Sequence, residues 1–218
     1  MLPGAEPHEG ASAADLDVVA AVLAEAVKAL DRVRLPYLLI GGLASTLLGR
    51  PRCSTDVDLL VRPVDAPAAL AAFEEEGFRT ERTNPHWLYK AFRRDVLVDL
   101  LFQASGALYV DDEMLRRSAV RAYRDVPVRV VAPEDLIVMK AIVHDEETPR
   151  HWGDALSVVA AGALDWDYLL WRARAGPRRL LSFLLYATSV DLHVPREALR
   201  RLGGLVLEDR EWEWNPRT

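Results

Sequence analysis

Thr55-Asp56-Val57-Asp58-Leu59-Leu60-Val61 decides the fold. The run is apolar enough for a buried strand, yet it carries two acids one residue apart. Residues two apart in a strand point to one face. Asp56 and Asp58 are therefore expected to project together, with Val57, Leu59 and Val61 on the opposite side. Two ionised carboxylates so close repel each other and raise each other's pKa. Burial beside apolar strands adds to that cost. Divalent cations remove both penalties, and Mg²⁺ or Mn²⁺ prefers carboxylate oxygens while leaving sites free for phosphate oxygens.

Two neighbouring stretches complete the reading. Downstream, Val96-Leu97-Val98-Asp99-Leu100-Leu101 places a third acid inside an apolar strand. If that strand is central, Asp99 has no solvent to face and can lie against Asp56 and Asp58. Three acids in that position could hold two metal ions roughly 3.5–4 Å apart, the spacing used for in-line phosphoryl displacement. Upstream, Leu39-Ile40-Gly41-Gly42-Leu43-Ala44-Ser45 reads as strand, tight turn and helix start. Gly41 and Gly42 let the backbone approach closely, and the amides of a helix start face an anion. A triphosphate is the expected occupant, with Ser45 and Thr46 as hydroxyl donors and Arg50 and Arg52 able to steer phosphate.

Outward from this centre, helical periodicity predicts an amphipathic helix over Asp15 to Arg32, a strand over Tyr37 to Ile40 and a short helix over Leu43 to Leu48. A helix over Asp65 to Glu76 follows, then strands over Trp87 to Phe92 and Val96 to Phe102, joined as a hairpin through Arg93-Arg94-Asp95. A last strand is expected over Val126 to Val131, at a sheet edge because of Pro127. From Pro133 the pattern is helical throughout: Pro133 to His144, His151 to Ala161, Asp165 to Ala175, Pro177 to Val190 and Pro195 to Leu202. The acids Glu134 and Asp135 sit in a first turn, where they complement the helix dipole. The expected architecture is α/β (α+β): a mixed sheet flanked by helices, then a C-terminal helical bundle. The expected division is a disordered lead-in over 1–12, an α/β domain over 13–132 and a helical domain over 133–218.

Composition bounds the alternatives. The chain has 218 residues, half of them hydrophobic, and a net charge of −6. A global basic field for duplex nucleic acid is thereby excluded, though a local basic patch is not. Cys53 is the single cysteine, so no internal disulfide framework or cysteine-based zinc site is expected. With no long apolar run and no secretory leader in Met1 to Ala14, the expected location is the cytoplasm, with no membrane. His86 and His144 read as surface or loop residues. His151 and Trp152 read equally as base or phosphate contacts and as capping and packing residues. Arg178-Arg179 and Arg200-Arg201 read as solvated helix faces rather than RNA contacts.

The order of these elements resembles the DNA polymerase β-like nucleotidyltransferase superfamily, in which a hydrophobic residue and a Gly-Gly or Gly-Ser pair precede an acid pair and a later third acid. Gly41-Gly42, Asp56 with Asp58, and Asp99 match that pattern. The stretch Gly41-Gly42-Leu43-Ala44 … Arg52 … Thr55-Asp56-Val57-Asp58 looks like the small bacterial branch that includes AbiEii-type toxins and MNT-like enzymes. Pro133-Glu134-Asp135-Leu136 … Lys140 and His151-Trp152-Gly153-Asp154-Ala155 look like its helical half. The resemblance implies transfer of a nucleoside monophosphate from an NTP, with Asp56, Asp58 and Asp99 as metal ligands. It also implies that Lys140 and Asp154 line the nucleotide pocket, facing Gly41-Gly42. The acceptor it allows is an RNA or tRNA end, a protein or a small molecule such as an antibiotic, and it brings a possible antitoxin partner. A non-catalytic nucleotide- or partner-binding module on the same fold is the alternative.

Overall fold

Each apolar run named above becomes an element. In the computed structural model, which describes residues 12–207 apart from 146, 148 and 163, helix α1 (Ala13–Arg32) starts at a capping box in which Ser12 and Asp15 satisfy each other's backbone amides. The expected lead-in otherwise lies outside the described residues. Helix α1 buries Val22, Leu23, Ala26 and Leu30 completely. Removing each such leucine from water is worth about 1.5–3 kcal/mol.

Strand β1 (Tyr37–Leu39) leads into α2 (Gly41–Leu48), β2 (Val57–Val61) and, after a short 3₁₀ turn, α3 (Ala66–Glu75). Strands β3 (Arg79–Asn84), β4 (Leu88–Arg93) and β5 (Val96–Leu101) follow, then α4 (Asp112–Arg117), β6 (Ala119–Tyr123) and β7 (Val126–Val130). One mixed sheet results, in the order β3-β4-β5-β2-β1-β7-β6. The β4–β5 hairpin turns on Arg94 and Asp95, both at positive φ, as a two-residue type I′ turn requires. Helices α1 and α3 pack on one face of the sheet. They cover Val57, Leu59, Val98, Leu100 and Ala91, all fully buried.

Two expectations are corrected here. Strand β7 is not an edge, because it pairs with β1 on one side and β6 on the other. Pro127 is tolerated because pairing with β1 is confined to Leu39 and Val130, which leaves the proline end of β7 bonded on one side only. Asp56 lies one residue before β2 rather than within it, since the ladder with β5 begins at Val57.

The helical half comprises α5 (Pro133–Val143), α6 (Arg150–Ala161), α7 (Trp166–Arg172), α8 (Pro177–Ser189) and α9 (Arg196–Leu207). Asp135 does more than complement the dipole of α5. It is fully buried, 2.6 Å from Nε of Arg172, and accepts the Tyr168 hydroxyl at 2.9 Å. The same guanidinium donates to Asp111, the N-cap of α4. One arginine thus ties α7 to α5 and to the loop entering α4. Arg178, Arg179 and Arg200 are exposed on helix surfaces, as expected.

Candidate active site

The site begins at the Gly41 turn. Gly41 has φ of 66°, and a Cβ there would lie 1.8 Å from Oδ2 of Asp58. Only glycine satisfies both constraints. The N-cap of α2, Ile40, offers no side-chain acceptor. Asp58 takes that role from a distant strand, accepting the Gly42 amide at 3.4 Å. The helix start expected to meet a phosphate already carries an acid against it. Gly41→Ala should cost about 2–4 kcal/mol of stability, from left-handed strain plus overpacking, and should displace the Asp58 carboxylate. A melting temperature equal to that of the wild type would contradict this account of the turn.

Asp58 and Asp99 are direct partners on the parallel strands β2 and β5. Their side chains share the face that α1 and α3 leave free. Burial is the main cause that raises the Asp58 pKa; Lys140 and the Gly42 amide oppose it. Burial also pushes Asp99 up, to about 6, and the charge of Asp58 adds to this while Lys90 opposes it. Oδ1 of Asp99 is buried and receives no hydrogen bond. Asp56 is exposed at the rim, near enough for its charge to raise both of the other acids. Among the described residues no three His, Cys, Asp or Glu side chains converge tightly enough to hold a metal ion. The expected three-acid cluster is therefore drawn as a close pair with Asp56 standing off. Asp56 lies outside the β2–β5 ladder that sets Asp58 beside Asp99. The donor set still fits a divalent cation: two carboxylates in register, one with an orphaned buried oxygen, on a face that opens to solvent.

Lys140 on α5 is buried and donates to Asp154 on α6 at 3.0 Å. Burial lowers the Lys140 pKa, against the pull of Asp154. Arg52 also reaches Asp154, through two hydrogen bonds of 2.8 and 2.9 Å. Burial acts to raise Asp154, but Arg52 and Lys140 outweigh it and hold its carboxyl below the usual range. The electrostatic reach of Lys140 to Asp58 sets this triad beside the acid pair. The loop before Asp56 is fixed to α6 a second time, by the Arg50 amide on Ser157. Ser45 is placed differently from expectation. It is buried and donates to the Gly41 carbonyl at 2.8 Å, bracing the turn. Thr46 bonds the carbonyls of Gly42 and Arg52 in the same way.

Trp152 packs between His144, Phe183 and Tyr186, so the packing reading holds for it. Burial, followed by the charges of Lys140 and Arg150, lowers His151 to about 4. Between pH 6.5 and 4 the unfolded chain binds a proton that the folded chain refuses, so this residue makes stability fall as pH drops through that window. His151→Gln should therefore narrow the gap between melting temperatures at pH 7 and pH 5. An unchanged gap would refute the buried neutral imidazole.

A family model described as "Nucleotidyl transferase of unknown function (DUF2204)" matches residues 19–168. The chain belongs to this nucleotidyl transferase family. The match takes in the glycine turn, all three acids, Lys140 and Asp154. No protein of curated function matches the sequence. Among solved structures, this nucleotidyl transferase is similar in fold to the antibiotic-resistance factor ANT(2'')-Ia. Identity is 18%, the TM-score is 0.52, and 79% of this chain and 98% of the other are covered. It is also similar to an antigenic nucleotidyltransferase-like protein from Paracoccidioides brasiliensis, at 17% identity and a TM-score of 0.51, over 88% of this chain and 93% of the other.

Proposed function

We propose that this nucleotidyl transferase moves a nucleoside monophosphate from an NTP to a hydroxyl acceptor, with Mg²⁺ or Mn²⁺ held by Asp58 and Asp99 and assisted by Asp56. Residues 13–132 would form the catalytic domain and 133–218 the helical domain that completes the pocket. The observation that carries this reading is the Asp58–Asp99 pair in register, with Oδ1 of Asp99 buried and unpartnered. When bound, the cation neutralises charge on the reacting phosphate and leaving group. The chain's own groups do the rest. Backbone at Gly41-Gly42 admits the triphosphate closely. Lys140 and Arg52, steadied by Asp154, present positive charge to it. The Asp99 carboxylate would take up the proton of the attacking hydroxyl. The acceptor oxygen, freed of its proton, bonds to the α-phosphorus as the bond from that phosphorus to the α,β-bridging oxygen breaks, and the electron pair leaves with pyrophosphate.

The test is incubation with each α-labelled NTP, Mg²⁺ and separate cell pools of RNA, protein and small metabolites. The proposal expects one pool to become labelled and pyrophosphate to be released. No label in any pool, with no pyrophosphate formed, would refute it. The motif resemblance to AbiEii-type toxins supports a toxin role with a protein antitoxin. Co-purification with the product of an adjacent gene tests that role.

A further inference from the structure

The acid pair belongs to a longer row. Lys90 on β4 is the direct partner of Asp99, and Glu81 on β3 is the partner of Lys90. Paired residues on neighbouring strands project to one face. Asp58, Asp99, Lys90 and Glu81 therefore line up across β2, β5, β4 and β3. Strands lie about 4.8 Å apart, so Lys90 stands one such step beyond Asp99 and two beyond Asp58. The Gly41 turn touches the opposite end of the row, against Asp58. Helices α1 and α3 occupy the other face of β3, β4 and β5. On this face Lys90, Phe92, Leu97 and Asp99 are all partly accessible.

The setting of Lys90 is unusual for this chain, which has only three lysines. Lys28 pairs with Glu76, and Lys140 with Asp154. Lys90 makes no hydrogen bond or ion pair among the described residues. Its row neighbour Glu81 accepts instead from the Thr83 hydroxyl, at 3.4 Å. A half-buried lysine on the face that carries Asp99, with no hydrogen bond or ion pair among the described residues, is free to bind a further group. A nucleotide seated at the Gly41 turn fills the Asp58 end of the row. An acceptor must then approach over β5 and β4, with its hydroxyl at Asp99 and its next group over Lys90.

The geometry points to Lys90 as the residue that selects the acceptor, by binding a phosphate on the same sugar as the reacting hydroxyl, as at a 3′-terminal ribonucleotide or in a sugar phosphate. This rests on the nucleotidyl-transfer reading of the acid pair. A point charge on a flexible stem suits a phosphate oxygen. It also repels an acceptor that carries several ammonium groups, which is discrimination by a built-in mismatch.

The test measures binding, so it stands apart from turnover. The probes are a 5′-labelled single-stranded RNA hexamer with a free 3′-hydroxyl, ribose 5-phosphate, and an unphosphorylated aminoglycoside. Each is titrated into wild type, Lys90→Glu and Lys90→Arg, with Mg²⁺ present. Lys90→Glu should weaken the phosphate-bearing probes by about 10-fold or more, and Lys90→Arg should retain most of the affinity. The log–log salt slope for the RNA should fall by about 0.7 in Lys90→Glu, as one lost phosphate contact predicts. Lys90→Arg should leave NTP binding and melting temperature as in wild type, and NTP binding of Lys90→Glu is measured beside the acceptor probes, because the new acid lies next to Asp99. Binding of RNA alone would assign the phosphate to a nucleic-acid end; binding of both would assign it to sugar phosphates generally. The inference is overturned if wild type binds neither, if Lys90→Glu binds them as wild type does, or if the aminoglycoside binds tightest. Failure of wild type to bind NTP would instead sink the nucleotidyl-transfer reading, and the acceptor probes would still decide the role of Lys90.

Discussion

Asp58→Asn is expected to lower nucleotide transfer by about 10²–10⁴-fold while the melting temperature stays level or rises. The split follows from two separate jobs of one side chain. As a hydrogen-bond acceptor, Asp58 holds the Gly42 amide at the start of α2. The asparagine carbonyl can do the same in the same shape. As a charge, Asp58 sits partly buried in register with Asp99, and burial, then the charge of Asp56, raises its pKa. Losing that charge relieves repulsion in the metal-free protein. It also removes half of the close pair proposed to neutralise a divalent cation, and phosphoryl transfer depends almost wholly on such positioning and charge. The check is paired: transfer rate and metal-free melting for wild type and variant. A variant that melts far below wild type would mean that Asp58 is a structural ion-pair partner instead.

The second large effect is on stability. Asp154→Ala should cost about 3–5 kcal/mol, because it strands a buried cation. For a chain of this size that corresponds to a fall of about 10 °C in melting temperature. The two cations held by Asp154 do not contribute equally. The Arg52 side chain is 22% exposed and can turn toward water, whereas Lys140 is 7% exposed and cannot. Asp154→Ala combined with Lys140→Met should therefore recover much of the loss, while adding Arg52→Met should recover little. Equal rescue by both, or a single variant that melts within about a degree of wild type, would remove the buried triad from the account.

What could be read in advance was what periodicity and residue chemistry encode locally. The alternation in Val57-Asp58-Leu59 fixed the side on which Asp58 lies, and Gly41 announced a turn that no other residue could make. The five C-terminal helices followed from their spacing and caps. Polar edge strands escaped, because Arg79-Thr80-Glu81-Arg82-Thr83-Asn84 in β3 and Ala119 to Tyr123 in β6 are largely exposed and carry no buried stripe. Pro127 reads as an edge signal, but β6 pairs with that side of β7. Long-range pairing escaped as well. Nothing near Arg52 shows that its guanidinium will close on a carboxylate 102 residues away. Nothing around Asp135 shows that Arg172 will bury with it, although an acid beside the apolar run Leu136-Ile137-Val138-Met139 was a signal that dipole compensation did not exhaust. Lys90 was invisible for the same reason: its meaning lies in the register that sets it beside Asp99.

The most direct measurement of the central claim is Mn²⁺ binding followed by the loss of free-ion paramagnetic resonance signal, with and without NTP, for wild type, Asp58→Asn and Asp99→Asn. Wild type should bind Mn²⁺ more tightly once NTP is present, and each variant should lose that NTP-dependent binding while still melting cooperatively. Mn²⁺ uptake that is equal in all three proteins, or that ignores NTP in wild type, would contradict an acid pair built to bring metal and nucleotide together.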